Sequence, residues 1–248
     1  ASCSTSSATS ETIVMSANKI NVVKIDDMGG KTVGNDLDNA WIEFNRVELP
    51  KSAMLSKYAD IVDGNYTLKV EGVRPFDMIG QRLYTGRVAV AQGALEYRRQ
   101  LFARTREYAE NKLCPGDIKL GSVPQLRFLF EENDSEMKML DEFVKQTELA
   151  LSDCLTRDEL PSSALVDAIA VCKVEAVERS IAMCHRLKQE VGSFALMQGS
   201  GFENQDFLQC CKFAEGDSRI LKLKLARDAM KAAGKGKVEG MSEEELEL

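Results

Sequence analysis

The sequence predicts a mainly α protein, a bundle of about four helices preceded by a short β segment. Three observations carry this. Five prolines in 248 residues leave room for long helices. From residue 74 onward, apolar residues recur every three or four positions, in stretches closed by strong breakers. Before Pro50, β-branched runs alternate with Gly, Asn and Asp turn signals. At roughly 100–200 residues per domain, this length holds one full domain with room for part of a second.

Residues 1–10 are Ser-rich and of low complexity, and are expected to be a disordered tail. Residues 11–50 read as β. Thr12 to Met15 and Ile20 to Ile25 are strand-like runs, Met28-Gly29-Gly30 is a turn, and Trp41, Ile42, Phe44 and Val47 form a third strand after Asn35-Asp36. So few strands need a cover, and their edges need a partner. Residues 51–73 read as a connecting segment.

The bundle is expected over 74–233. Pro75 sits in the first turn of a helix that continues to about Lys112 through Met78, Leu83, Val88, Ala91, Leu95 and Phe102. Cys114-Pro115-Gly116 stops it. Ser122 is the expected cap of the second helix, with Pro124 just inside. Leu126, Phe130, Met137, Leu140, Val144 and Leu151 give that helix one apolar face to about Asp153. Pro161-Ser162 starts the third, whose seam is Val166, Ala170, Val174, Val177, Ile181 and Cys184. Gly199-Ser200-Gly201 breaks the pattern, and two shorter helices follow at about 205–212 and 217–233. Residues 234–248, with Ser242-Glu243-Glu244-Glu245, read as a solvated acidic tail.

Composition excludes several functions. The net charge of −7 argues against a nucleic-acid partner. No apolar run reaches the ~18–20 residues that a membrane span needs. The seven cysteines are odd in number and form no CxxC, which points to a reducing, intracellular compartment with buried thiols. His185 is the single histidine, so a histidine-based metal cluster is out, and a helix-surface role fits it best. No metal site is expected. There is no P-loop and no GxGxxG. The Ser-rich start without Met fits a processed plastid or mitochondrial precursor and fits a trimmed chain equally. Leu246-Glu247-Leu248 is not the peroxisomal Ser-Lys-Leu end.

Four segments carry a resemblance. They are Asp27-Met28-Gly29-Gly30-Lys31 with Asn35 through Pro50; Thr85-Gly86-Arg87; Leu196-Met197-Gln198-Gly199-Ser200-Gly201-Phe202; and Phe213-Ala214-Glu215-Gly216-Asp217. In order and spacing, over about residues 20–233, they resemble the end of the middle β-domain and the C-terminal helical bundle of acyl-CoA oxidases and dehydrogenases. The acidic residue after Glu215-Gly216 leans to the oxidase side.

The resemblance implies an FAD-dependent oxidoreductase of fatty acid metabolism that takes an acyl-CoA. It assigns Glu215 as the base that removes the α-proton and Arg87 as the residue that orients it. It places Lys112, Gly199, Gly201, Phe202, Gly216 and Asp217 at the cofactor. Such bundles pair, so a homo-oligomer or a larger complex is implied. This sequence departs from the pattern where Lys112, Cys114 and Pro115 replace an arginine, a glutamine and a phenylalanine. Lysine keeps the charge but loses the bidentate fork. Asp217 adds negative charge beside a phosphate-bearing cofactor. Only 11–50 corresponds to the parts that precede the bundle in the family. Two readings follow: the C-terminal part of a flavin enzyme, impaired as this chain alone, or a non-catalytic structural or assembly subunit built on the same bundle.

Overall fold

The computed structural model describes residues 10–16, 19–30, 39–69 and 75–234. The Ser-rich stretch 1–9, the Asn35-Asp36 turn and the acidic stretch after Gly234 lie outside the described residues. The chain divides into two compact units, Ala1–Ile79 and Gly80–Leu248.

In the first unit, β1 (Ser10–Ser16), β2 (Lys19–Asp27) and β3 (Ala40–Asn45) form an antiparallel sheet in that order. Val23 faces Phe44 across the β2–β3 pair, and Ile25 faces Ile42. β-Branched and aromatic cross-strand pairs of this kind are the units that stabilise a sheet. Strand β3 ends before Val47, which the pattern had placed in it. Arg46 stands at a φ of 51°, and a left-handed residue cannot continue the pleat. Every residue of β3 is exposed. Residues 51–73 hold more than a connection: β4 (Ala59–Val62) and β5 (Asn65–Leu68) pair as a hairpin. Asp63-Gly64, both at positive φ, makes its two-residue turn, and this Asp-Gly pair was the overlooked signal.

Helix α1 (Pro75–Asn111) begins in the first unit, and its residues from Gly80 onward belong to the second. A small hairpin follows, β6 (Leu113–Cys114) and β7 (Ile118–Lys119), turning at Gly116-Asp117. Then come α2 (Pro124–Thr156), α3 (Ser163–Glu190), α4 (Asp206–Phe213) and α5 (Ser218–Gly234). Ser122 does not cap α2. It closes a 3-10 turn, and Val123 takes the cap position with Pro124 as the first helical residue, where its missing N–H costs nothing. Ser162 does cap α3, its Oγ accepting the Leu165 N–H at 3.2 Å.

The six apolar residues that define the α2 face are all buried. Leu83 of α1 is exposed, against its assignment to the apolar face. The burial on α3 is broader than a single seam. It takes in Ile169, Cys172, Ala176, Met183 and Leu187, because α2, α4 and α5 all pack on this helix. The main core joins Leu101, Phe102, Leu126, Phe130, Phe202 and Leu208. Burying side chains of this size contributes about 1.5–3 kcal/mol each. One charge is buried with them. Arg98 donates through Nε to Asn133 Oδ1 at 2.8 Å and pairs with Glu136 at 2.7 Å, and Arg179 from α3 pairs with the same glutamate. This network ties α1, α2 and α3 together.

Cys172, Cys184 and Cys211 are buried free thiols, and burial pushes them up to about 11, 12 and 11. They are inert at neutral pH. His185 is exposed on α3 beside Gln189, the helix-surface position expected of it.

Candidate active site

The turn between α4 and α5 carries Ala214-Glu215-Gly216-Asp217. Glu215 and Gly216 both lie in the left-handed region, at φ of 54° and 101°. A non-glycine residue there costs roughly 1–2 kcal/mol, so its surroundings must hold it. Two cations do so. Arg87 on α1 donates through Nε to the Glu215 carbonyl at 3.0 Å. Lys173 on α3 donates through Nζ to the Lys212 carbonyl at 2.7 Å, the Gly216 carbonyl at 2.9 Å and Ser218 Oγ at 3.0 Å. An ammonium has three donors, and all three are used.

Lys173 is fully buried, and burial pushes its pKa down to about 8 against the opposing pull of Asp217. It is therefore an ammonium at neutral pH. Arg87 is also shifted down by burial, with Tyr84 and Glu215 opposing.

Glu215 is half-buried, and its carboxylate reaches across to α1, onto Gly86. A Cβ at Gly86 would lie 2.4 Å from Glu215 Cδ and 2.7 Å from either carboxylate oxygen. The absence of a side chain at this one position makes the room that the carboxylate occupies. Asp217 has another task. Its Oδ1 accepts the Arg219 N–H at 2.8 Å, capping α5, and its carboxylate pairs with the Arg219 guanidinium, which holds it below the usual range.

The second glycine turn lies between α3 and α4. Gly199 and Gly201 stand at φ of 82° and 95°, which turns their N–H groups to one side. Those donors are taken: Glu203 Oε1 accepts Gly199 N–H at 2.6 Å, and Oε2 accepts Gly201 N–H at 2.7 Å. Phe202 is buried in the main core, edge-on to Phe194, rather than at a surface a cofactor could reach. Lys112 is exposed at the end of α1, with its main chain bonded to Tyr108 and Leu120. Tyr108 stacks on Phe194 with ring centres 3.9 Å apart, so the segments carrying Lys112 and the Gly199 turn share a contact.

Arg87, Glu215 and Gly216 are thus brought together as one cluster, and Gly199 and Gly201 as another. Sequence reasoning missed Lys173, Gly86 and Glu203. The signal for Lys173 was a lone charge inside the apolar run Ala170-Val171-Cys172-Lys173-Val174. Gly86 was a glycine in mid-helix, where it costs ~1 kcal/mol against alanine.

The chain is similar to known proteins in sequence and in fold. An acyl-coenzyme A oxidase of Saccharomyces cerevisiae is 26% identical over 237 residues, covering 84% of this chain and 31% of the relative. An acyl-CoA oxidase structure from tomato superposes with a TM-score of 0.70 at 15% identity, over 95% of this chain and 41% of that one. An acyl-CoA dehydrogenase structure from Geobacillus kaustophilus gives 0.60 at 15% identity, over 85% of this chain and 52% of that one. No family model matches the chain. The chain is thus similar to acyl-CoA oxidases in sequence and to acyl-CoA oxidases and dehydrogenases in fold. It spans about a third of the yeast oxidase it matches. Its fold is that of the family's C-terminal helical domain, preceded by a short β segment.

Structural neighbours of the chain include a flavoprotein, and FAD is the group these residues would have to fit. Lys112 offers an exposed positive charge. The Gly199–Gly201 turn does not fit a cofactor diphosphate as it is folded, because the chain's own carboxylate fills its amide donors. Asp217 is likewise committed, to Arg219.

Proposed function

We propose that this chain is the base-bearing helical part of an acyl-CoA oxidase-like protein, and that Glu215 removes the proton α to the carbonyl of an acyl-CoA thioester. The observation that supports this reading is the Glu215 carboxylate seated over Gly86 while Arg87 holds the Glu215 carbonyl and Lys173 the carbonyl of Gly216 next to it. In the step, the α C–H bond breaks and the proton passes to a Glu215 oxygen. The electron pair stays on carbon and delocalises into the thioester carbonyl as an enolate, which needs hydrogen-bond donors to its oxygen. Arg87 acts on the turn and not on the carboxylate: it binds the Glu215 carbonyl and so fixes where the side chain starts. Because the Gly199 turn does not fit the cofactor diphosphate, the chemistry assigned to this chain's residues ends with that proton. We infer that the chain is impaired in oxidation by itself.

A second reading is favoured by the same closed turn: a structural or assembly subunit that keeps the bundle without the reaction. Exchange of the α-hydrogens of a saturated acyl-CoA in deuterated water, followed by mass spectrometry on the full chain, separates the two. Exchange that Glu215→Gln abolishes supports the base. No exchange above the buffer rate, from a folded chain, supports the structural role.

A further inference from the structure

The Gly199–Glu203 turn has the geometry of an anion site that already has its anion. Two glycine amides at positive φ converge on one side, as in the backbone concavities that bind phosphates. The Glu203 carboxylate sits on both of them, and Ser200 Oγ lies 3.3 Å from its Oε2. The Glu203 carboxyl is held below its ordinary range by main-chain donors, its own N–H first and then that of Gly199.

The frame beneath is fixed. Tyr97 donates its hydroxyl to the Gly201 carbonyl at 2.9 Å. A Cβ at Gly201 would meet Leu101 Cδ1 at 3.2 Å, so the turn lies flat on α1. Phe202 anchors the next residue in the core. Arg104 is the cation facing the turn, with Nη1 3.6 Å from that same Cβ position.

We propose that Glu203 is the resident anion of this turn and closes it against the diphosphate of a dinucleotide cofactor. The inference rests on the likeness to acyl-CoA oxidases and on the turn's own geometry, and is independent of any role for Glu215. A competing phosphate must displace a carboxylate tethered two and four residues from its donors. Tethering keeps such a competitor at an effective concentration of about millimolar or more. Its negative charge also repels the phosphate it would have to admit. Removing the carboxylate leaves two free amides and Arg104, a set that suits a phosphate.

The test uses the full chain, labelled with ¹⁵N, as wild type, Glu203→Ala and Glu203→Gln. Each is titrated with inorganic pyrophosphate and then with FAD, following the Gly199 and Gly201 amide resonances. The Tyr97 and Phe202 amides report whether the frame is intact. The expected result is that Glu203→Ala binds pyrophosphate through these two amides at least about tenfold more tightly than wild type, with Glu203→Gln between them. Wild-type amides that respond to pyrophosphate as strongly as those of the alanine variant would overturn the proposal. So would an intact alanine frame whose glycine amides respond to neither ligand. If the alanine variant does not fold, the comparison of wild type with Glu203→Gln decides by the same two criteria.

Discussion

Two glycine turns in the helical unit each carry a glutamate, and they handle it in opposite ways. At Gly199–Glu203 the glutamate follows its glycines by two and four residues, and that reach lets the carboxylate fold back onto their N–H groups. At Glu215-Gly216 the glutamate precedes the glycine directly. Its carboxylate leaves the turn and lies on Gly86 of α1. What the second turn presents inward is carbonyl oxygen, and cations meet it: Arg87 at Glu215 and Lys173 at Gly216. One turn satisfies its donors with an anion from its own loop. The other satisfies its acceptors with cations from α1 and α3. The difference teaches that a glycine turn's chemistry depends on which main-chain groups it aims inward and on whether a side chain of the same loop can reach them. The first arrangement consumes its glutamate, and the second leaves it available.

The largest effect that would break this comparison is on proton transfer. Glu215→Gln should lower α-hydrogen exchange by about 10²–10⁴-fold, the usual contribution of a positioned acid or base, while Glu203→Gln leaves exchange unchanged. Mass spectrometry of the recovered thioester measures both. If the two variants behave alike, the turns are not different in kind.

Gly86→Ala sharpens the point. The new methyl takes the space of the Glu215 carboxylate, which is the mobile end of a side chain and can swing away. Exchange should fall, while thermal stability holds or rises by up to ~1 kcal/mol from the gain in helix propensity. A parallel loss of folding would show that Gly86 serves packing instead.

Lys173→Met should cost about 1–3 kcal/mol in urea unfolding, because two partly buried carbonyls and the buried Ser218 Oγ lose the same donor group. Gly201→Ala should cost about 1–2 kcal/mol for its left-handed backbone. The amides of residues 215–218 should lose hydrogen-exchange protection in the lysine variant and keep it in the glycine variant.

The smallest effect is in acid. The Glu203 carboxyl is lowered in the folded chain, so what its ionised form adds to stability is complete above the ordinary value of 4.5. That contribution is lost as pH falls through the lower folded value. The urea midpoint of wild type should therefore exceed that of Glu203→Gln at neutral pH, and the gap should close only below that ordinary value. A gap that is constant with pH would detach the carboxylate from the amides.

Much of the fold was legible because it is written in local periodicity. The Leu126–Leu151 stripe, the Ser162 cap and the Gly234 stop set helix positions to within a few residues, whereas α3 ends at Glu190, well before the expected break at Gly199. The two short hairpins are hard to see in sequence, since one rests on a two-residue turn and the other on a three-residue turn, each with little apolar patterning around it. Val47 and Leu83 fit an apolar pattern and still fell outside it, one stopped by the left-handed Arg46 and one left exposed on α1.

For the candidate site, sequence by itself determined the residue types: a Glu-Gly pair between two helices, an arginine on the first long helix, and a Gly-Ser-Gly turn. Only the tertiary structure decided what each does. It set Arg87 against a carbonyl, sent Phe202 into the core and gave Asp217 to Arg219. It also placed Lys173, on α3, under a turn dozens of residues away, and filled the glycine turn with Glu203. The physical reason is range. Helix propensity and apolar spacing act over a few residues, whereas a hydrogen bond between α3 and the α4–α5 turn exists only once the helices have packed and closed the chain between them.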